Sequence, residues 1–119
     1  MTPADRARSD ADETLAHEAR APQPSLRDLA RKAADAITEM HALAQTALDL
    51  TRNSAAGRLE LSRSVCTKRL YAFACGLHDR GATTIANVAL AMSWRTKRGL
   101  VSPTWALRVV QMAEEVERG

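Results

Sequence analysis

Leu26, Ala30, Ala33, Ile37, Met40, Ala44, Leu48 and Thr51 recur at steps of three or four residues. Projected at roughly 100° per residue they fall within about 40° of one line, which is an amphipathic helix and nothing else in the backbone repertoire. Asp28, Arg31, Lys32, Asp35 and Glu39 take the opposite side. The stripe is rich in alanine, so a neighbouring helix can approach closely. Ser25 follows Pro24, and Ser25-Leu26-Arg27-Asp28 has the form of a capping box with Asp in place of Glu. Asn53, Ser54 and Gly57 in "TRNSAAG" read as the stop and turn that end this helix.

A second helix is expected over about 58 to 79, with Leu59, Cys66, Leu70, Phe73 and Leu77 on one face and Gly81 just beyond its end. A shorter one follows over about 83 to 92, capped by Thr83 or Thr84, with Ile85, Val88, Ala89 and Met92 inward. The last begins at Ser102-Pro103-Thr104, with Ser102 as the cap and Pro103 in the first turn. Trp105, Val109, Met112 and Val116 form its stripe, and its acidic end opposes the helix dipole, which predicts fraying after about residue 114. β-branched residues never alternate as a strand would require. The expected fold is all-α: a compact bundle of about four to five helices over 25–119, behind a flexible charged tail or short helix at 1–24.

Composition narrows the class. The chain has 119 residues, one domain's worth, and 45% are apolar. No apolar run approaches the ~18 to 20 residues of a membrane span, so no membrane partner is expected. "MTPADRARSDADETLAHEAR" has no apolar core of a signal peptide. Cys66 and Cys75 are nine apart, roughly 13 Å along one helix and on nearly opposite faces, too far to bridge. Reduced thiols and a cytoplasmic location are the simplest expectation.

The charge is segregated. The net charge is +3. Residues 1–24 are net −2, whereas residues 51–109 carry Arg52, Arg58, Arg63, Lys68, Arg69, Arg80, Arg95, Lys97, Arg98 and Arg108 against only Glu60 and Asp79. Such a basic segment is the electrostatic footprint of a nucleic-acid or polyanion binder; a solvated arginine-rich surface is the plain alternative. Arg58, Arg69 and Arg80, eleven apart, line up at the edge of the second helix's apolar face, either as a row of phosphate contacts or as rim residues with their heads in water. In "SWRTKRGLVSPTW" three cations stand between two tryptophans. Residues 93–102 read as an interhelical loop in which Arg95, Lys97 and Arg98 would hold phosphate and Gly99 would let backbone approach it. Trp94 is either a core anchor or a stacking face for a base. Trp105, on its helix's stripe, belongs to the core.

No enzyme constellation is present: no glycine-rich phosphate loop, nucleophile elbow or carboxylate pair. His17, His41 and His78 lie on separate segments; Cys75-x-x-His78 is half a metal site with no second pair. His41, beside the first stripe, reads as a packing or interface residue. A non-catalytic protein without metal or cofactor is expected.

A small basic helical chain of this kind resembles the small subunits of multisubunit CRISPR effector complexes. "KRLYAFACGLHDRGATTIANVAL", residues 68–90, is similar to their passage from a long helix through a turn into a threonine-capped helix. The resemblance covers the last 60 to 70 residues. It implies a helical bundle that stacks along nucleic-acid backbone inside a ribonucleoprotein, touching larger subunits or copies of itself, with Arg58, Arg63, Arg69, Arg80, Arg95, Lys97 and Arg98 as backbone contacts. It does not account for the acidic tail. Two other readings stay open: a helix-turn-helix-like DNA-binding regulator of plasmid or phage origin, whose connection of about ten residues is long for the motif, and a protein-interaction adaptor or inhibitor using the alanine-rich face or the tryptophans.

Overall fold

The computed structural model describes residues 24–47 and 52–119. These form four helices, α1 Leu26–Ala47, α2 Arg52–Asp79, α3 Thr83–Lys97 and α4 Thr104–Arg118, with no strand among the described residues. The tail expected over 1–24 lies outside the described residues apart from Pro24, as do His17 and the stripe positions Leu48 and Thr51.

Helix α1 starts as its sequence dictates. The Ser25 hydroxyl accepts the Asp28 backbone N–H at 3.1 Å. The reciprocal half of the capping box is replaced: the Asp28 carboxylate pairs with Arg31 at 3.1 Å. Leu26, Ala30, Ala33, Ile37 and Met40 are buried, which bears out the stripe as far as Met40; Ala36 joins it, and Ala44 is half-buried. Small side chains there let α2 come close, and α2 answers with Gly76, where a Cβ would meet Leu29 Cδ1 at 2.7 Å. The two helices run antiparallel, since Leu29 faces Gly76 while Ala36 and Glu39 share a groove with Arg58 and Ser62.

Helix α2 begins six residues earlier than the sequence suggests, so Asn53, Ser54 and Gly57 belong to its opening turns rather than to a stop. The physical reason is position. A helix tolerates polar residues in its first turn, and Gly57 faces open space, where it costs a helix only about 1 kcal/mol. At its other end Gly81 takes φ +79, Gly81 N–H bonds His78 O at 2.9 Å, and Ala82 N–H bonds Leu77 O at 3.0 Å. That pair of bonds is a Schellman closure.

Helix α3 departs furthest from expectation. It runs to Lys97, so Trp94, Arg95 and Lys97 are helical and the loop shrinks to 98–103. Gly99 is the same device as Gly81: φ +87, with Gly99 N–H on Thr96 O and Leu100 N–H on Arg95 O, both at 2.9 Å. Its positive φ closes the end of the helix. Neither threonine caps α3; its N-cap is Ala82, without a side-chain bond. Ser102 likewise does not cap α4: its hydroxyl meets the Thr104 hydroxyl at 2.8 Å, and its carbonyl accepts Trp105 N–H at 3.1 Å.

Helix α4 continues to Arg118 despite its acids. Glu117 is unfavourable at its own helix's carbonyl end but lies at the N-terminus of α1, where it accepts Arg27 N–H at 3.3 Å and pairs with Arg27 Nε at 2.7 Å. A neighbouring helix start thus offsets the dipole that predicted fraying. The core joins all four helices through Leu26, Ile37, Leu70, Phe73, Ala89 and Val109. Helix α1 packs on α2 and α4, and α2 also packs on α3, whereas α3 and α4 barely touch. One edge of the bundle is therefore open.

Candidate nucleic-acid interface

The helical continuation of α3 redistributes the cations of the quoted stretch. Residues two apart on a helix differ by about 160° in direction, so Arg95 and Lys97 cannot share a surface. Three-residue spacing brings Trp94 and Lys97 together instead, and Lys97 Nζ lies 5.7 Å from the Trp94 ring centroid. These two line a groove of about 260 Å³ between α2 and α3, completed by Lys68, Tyr71, Thr67 and Ser93. Arg95 faces the other way, into a groove of about 510 Å³ between α3 and α4 shared with Arg108, Trp105, Val88 and Met92. Arg98, the C-cap of α3, is exposed.

Part of this clustering has a structural cause. Arg95, Lys97 and Arg98 stand at the carbonyl end of α3, where cations are favoured by the helix dipole. That accounts for their sign but not for an exposed indole among them. Trp94 is 57% exposed and Tyr71 56%, whereas large aromatic side chains are usually well covered.

The arginine row on α2 is partly committed elsewhere. Arg69 donates to the Lys32 carbonyl of α1 at 3.3 Å, and Arg80 donates to the Gly76 carbonyl at 3.0 Å. Both side chains are exposed and act as rim residues, while Arg58 borders the groove between α1 and α2 beside Glu39. Arg63 pairs with Glu60, one turn away. Arg52 opens α2, and its side chain is not among those described. Among the described residues, Arg58, Lys68, Arg95, Lys97, Arg98 and Arg108 have no carboxylate partner.

The groove between α2 and α3 has a firm floor. Ser93, 4% exposed, donates to the Thr67 carbonyl at 3.0 Å and so ties α3 to α2 directly beneath it. Thr96 is fully buried and returns its hydroxyl proton to Met92 O at 2.9 Å. Cys66 lies under the same seam; burial pushes its thiol up to about 11, against smaller opposing effects of the Thr96 hydroxyl and Arg69. It is a neutral packing group, while Cys75 is exposed, and both are unbridged. Trp105 is half-buried and packs on the core, as its stripe position foretold, but it also walls the α3–α4 groove. His41 is half-buried and His78 exposed. No group of three or more potential metal ligands occurs among the described residues.

Tyr71 is the residue that sequence reading missed. The signal was present: it falls off the Leu70–Phe73–Leu77 face, one turn from Lys68, on the solvent side of the helix. No helix among the described residues is long and apolar enough to cross a membrane. No family model, curated protein or solved structure matches this chain.

Proposed function

We propose that this protein is a non-catalytic nucleic-acid-binding subunit that holds phosphate backbone inside a ribonucleoprotein assembly of the CRISPR-effector kind. The observation that carries the reading is the set of exposed cations on α2, α3 and α4 without carboxylate partners among the described residues, Lys68, Arg95, Lys97, Arg98 and Arg108, of which Lys68 and Lys97 line a groove with the exposed rings of Tyr71 and Trp94. Phosphate neutralisation displaces condensed counterions, so the affinity is largely independent of sequence and falls steeply with salt. A bundle of this size offers few contacts, which suits a protein working in an array of copies or on a larger subunit.

The test is binding to labelled single-stranded RNA, single-stranded DNA and duplex DNA over a salt series. Arg95→Ala, Arg98→Ala and Arg108→Ala together should weaken binding uniformly across sequences and reduce the salt slope by about one per lost phosphate contact. Failure of every oligomer to bind at low salt refutes the reading.

One observation favours a second reading, a protein-interaction module. The open edge between α3 and α4 is walled by Val88, Met92 and Trp105 and rimmed by Arg95 and Arg108, a form suited to an acidic amphipathic helix. It predicts a protein partner and no nucleic-acid affinity. The regulator reading fares worse, because the second half of α4 carries Glu114, Glu115 and Glu117, and Glu117 pairs with Arg27 of α1.

A further inference from the structure

Building on the nucleic-acid reading, we infer that the groove between α2 and α3 is a base-stacking site for single-stranded nucleic acid, in which Tyr71 and Trp94 take unpaired bases and Lys68 and Lys97 take the adjoining phosphates. Four features converge there. Each helix contributes one aromatic ring and one lysine, so the groove is made by the packing of α2 on α3 and belongs to neither helix alone. Both rings are more than half exposed although each carries a large apolar surface, a state that a stacked base would relieve. Among the described residues no carboxylate lines the groove and neither lysine has an acidic partner. The Ser93–Thr67 hydrogen bond fixes the floor, so the two helices that carry the rings are already joined before a ligand arrives, and less ordering remains to oppose binding.

The geometry selects the class of ligand. A duplex keeps its base faces inside the stack, out of reach of a groove of about 260 Å³; a single strand presents them. Every base has a π-face, so stacking is tolerant of sequence. Lys97 Nζ, 5.7 Å from the indole centroid, is at the outer reach of a cation–π contact and is free to turn to a phosphate. The α3–α4 groove differs: its tryptophan is half-buried against the core, and both its cations are arginines.

The experiment uses the full chain with fluorescein-labelled 20-mers: oligo-U RNA, oligo-dT DNA and a DNA duplex. Trp94→Ala and Tyr71→Ala should each weaken binding to the single strands roughly 5- to 100-fold and leave duplex binding within about twofold, whereas Trp94→Phe, which keeps a ring, should recover most of the loss. Both sites are on the surface, so helicity by circular dichroism should be unchanged. In a Trp105→Phe background Trp94 is the sole tryptophan, and its fluorescence should be quenched by either single strand but not by duplex. Steep salt-dependent binding of all three 20-mers, unaltered by the two alanine changes, would overturn the stacking site while leaving the phosphate reading intact. Binding to none of them would overturn both. Adenosine monophosphate binding as tightly as oligo-U would also overturn it, since the site would then serve a free nucleotide.

Discussion

The seam between α1 and α4 and the groove between α2 and α3 use the same kinds of side chain to opposite ends. At the α1–α4 seam the cation is spent: Arg27 is joined to Glu117 by its side chain and by its backbone N–H. At the α2–α3 groove Lys68 and Lys97 have no such partner among the described residues, and two aromatic rings lie open beside them. The first arrangement satisfies helix ends; the second leaves charge and π-surface available. A count of Lys and Arg along the chain cannot tell these uses apart, because the difference lies in where the acids fall in space.

The contrast predicts a separation between stability and binding. The largest effect on stability belongs to the common core. Phe73, fully buried one turn from Leu70 and Leu77, should cost about 3–5 kcal/mol when changed to Ala, whereas Trp94→Ala should stay within about 0.5 kcal/mol; urea midpoints at equal m-value measure both. A comparable loss from Trp94→Ala would make that ring a packing element and collapse the distinction.

A smaller effect should appear with pH. The Cys66 thiol is held up to about 11 in the folded chain by burial, against roughly 8.5 when unfolded. A raised acid contributes stability that is fully present below the unfolded value and is lost as pH rises through the folded one. The urea midpoint should therefore fall between about pH 9 and 11, and Cys66→Ala should flatten that part of the fall. The same burial makes Cys75 the thiol that a maleimide modifies first in the native protein.

The smallest effects sharpen the seam itself. Ser25→Ala removes the cap on α1 and should cost about 1 kcal/mol. Glu117→Gln loses a largely surface pair and should cost at most about 1 kcal/mol, less at high salt. Neither should alter nucleic-acid affinity, and a loss of binding in either would show that the two regions are coupled.

What was legible in the chain was periodic or local. The Ala30–Ala33–Ile37–Met40 face, the Cys66–Leu70–Phe73–Leu77 face, the Ser25 cap and the Gly81 closure all depend on residues within a turn or two of one another, and helical spacing alone places them. The misreadings were of two kinds. At 52–57 and 93–97, polar and small residues resembled loop although the backbone there is helical, and at 93–97 a tertiary contact, Ser93 on Thr67, holds the helix against its neighbour. At the end of α4, a local dipole argument failed because the N-terminus of α1, some ninety residues away in sequence, lies beside Glu117.

Helical periodicity, the small residues on the inner face of α1 and the concentration of positive charge between residues 51 and 109 are written in the linear chain. Which of those charges are committed and which are available was set by helix packing. It divided Arg95 from Lys97 by extending α3, set Tyr71 of one helix beside Trp94 of another, and placed Glu117 on Arg27. The physical reason is that periodicity fixes a side chain's direction about its own helix axis, whereas a partner on another helix is fixed only when the helices pack.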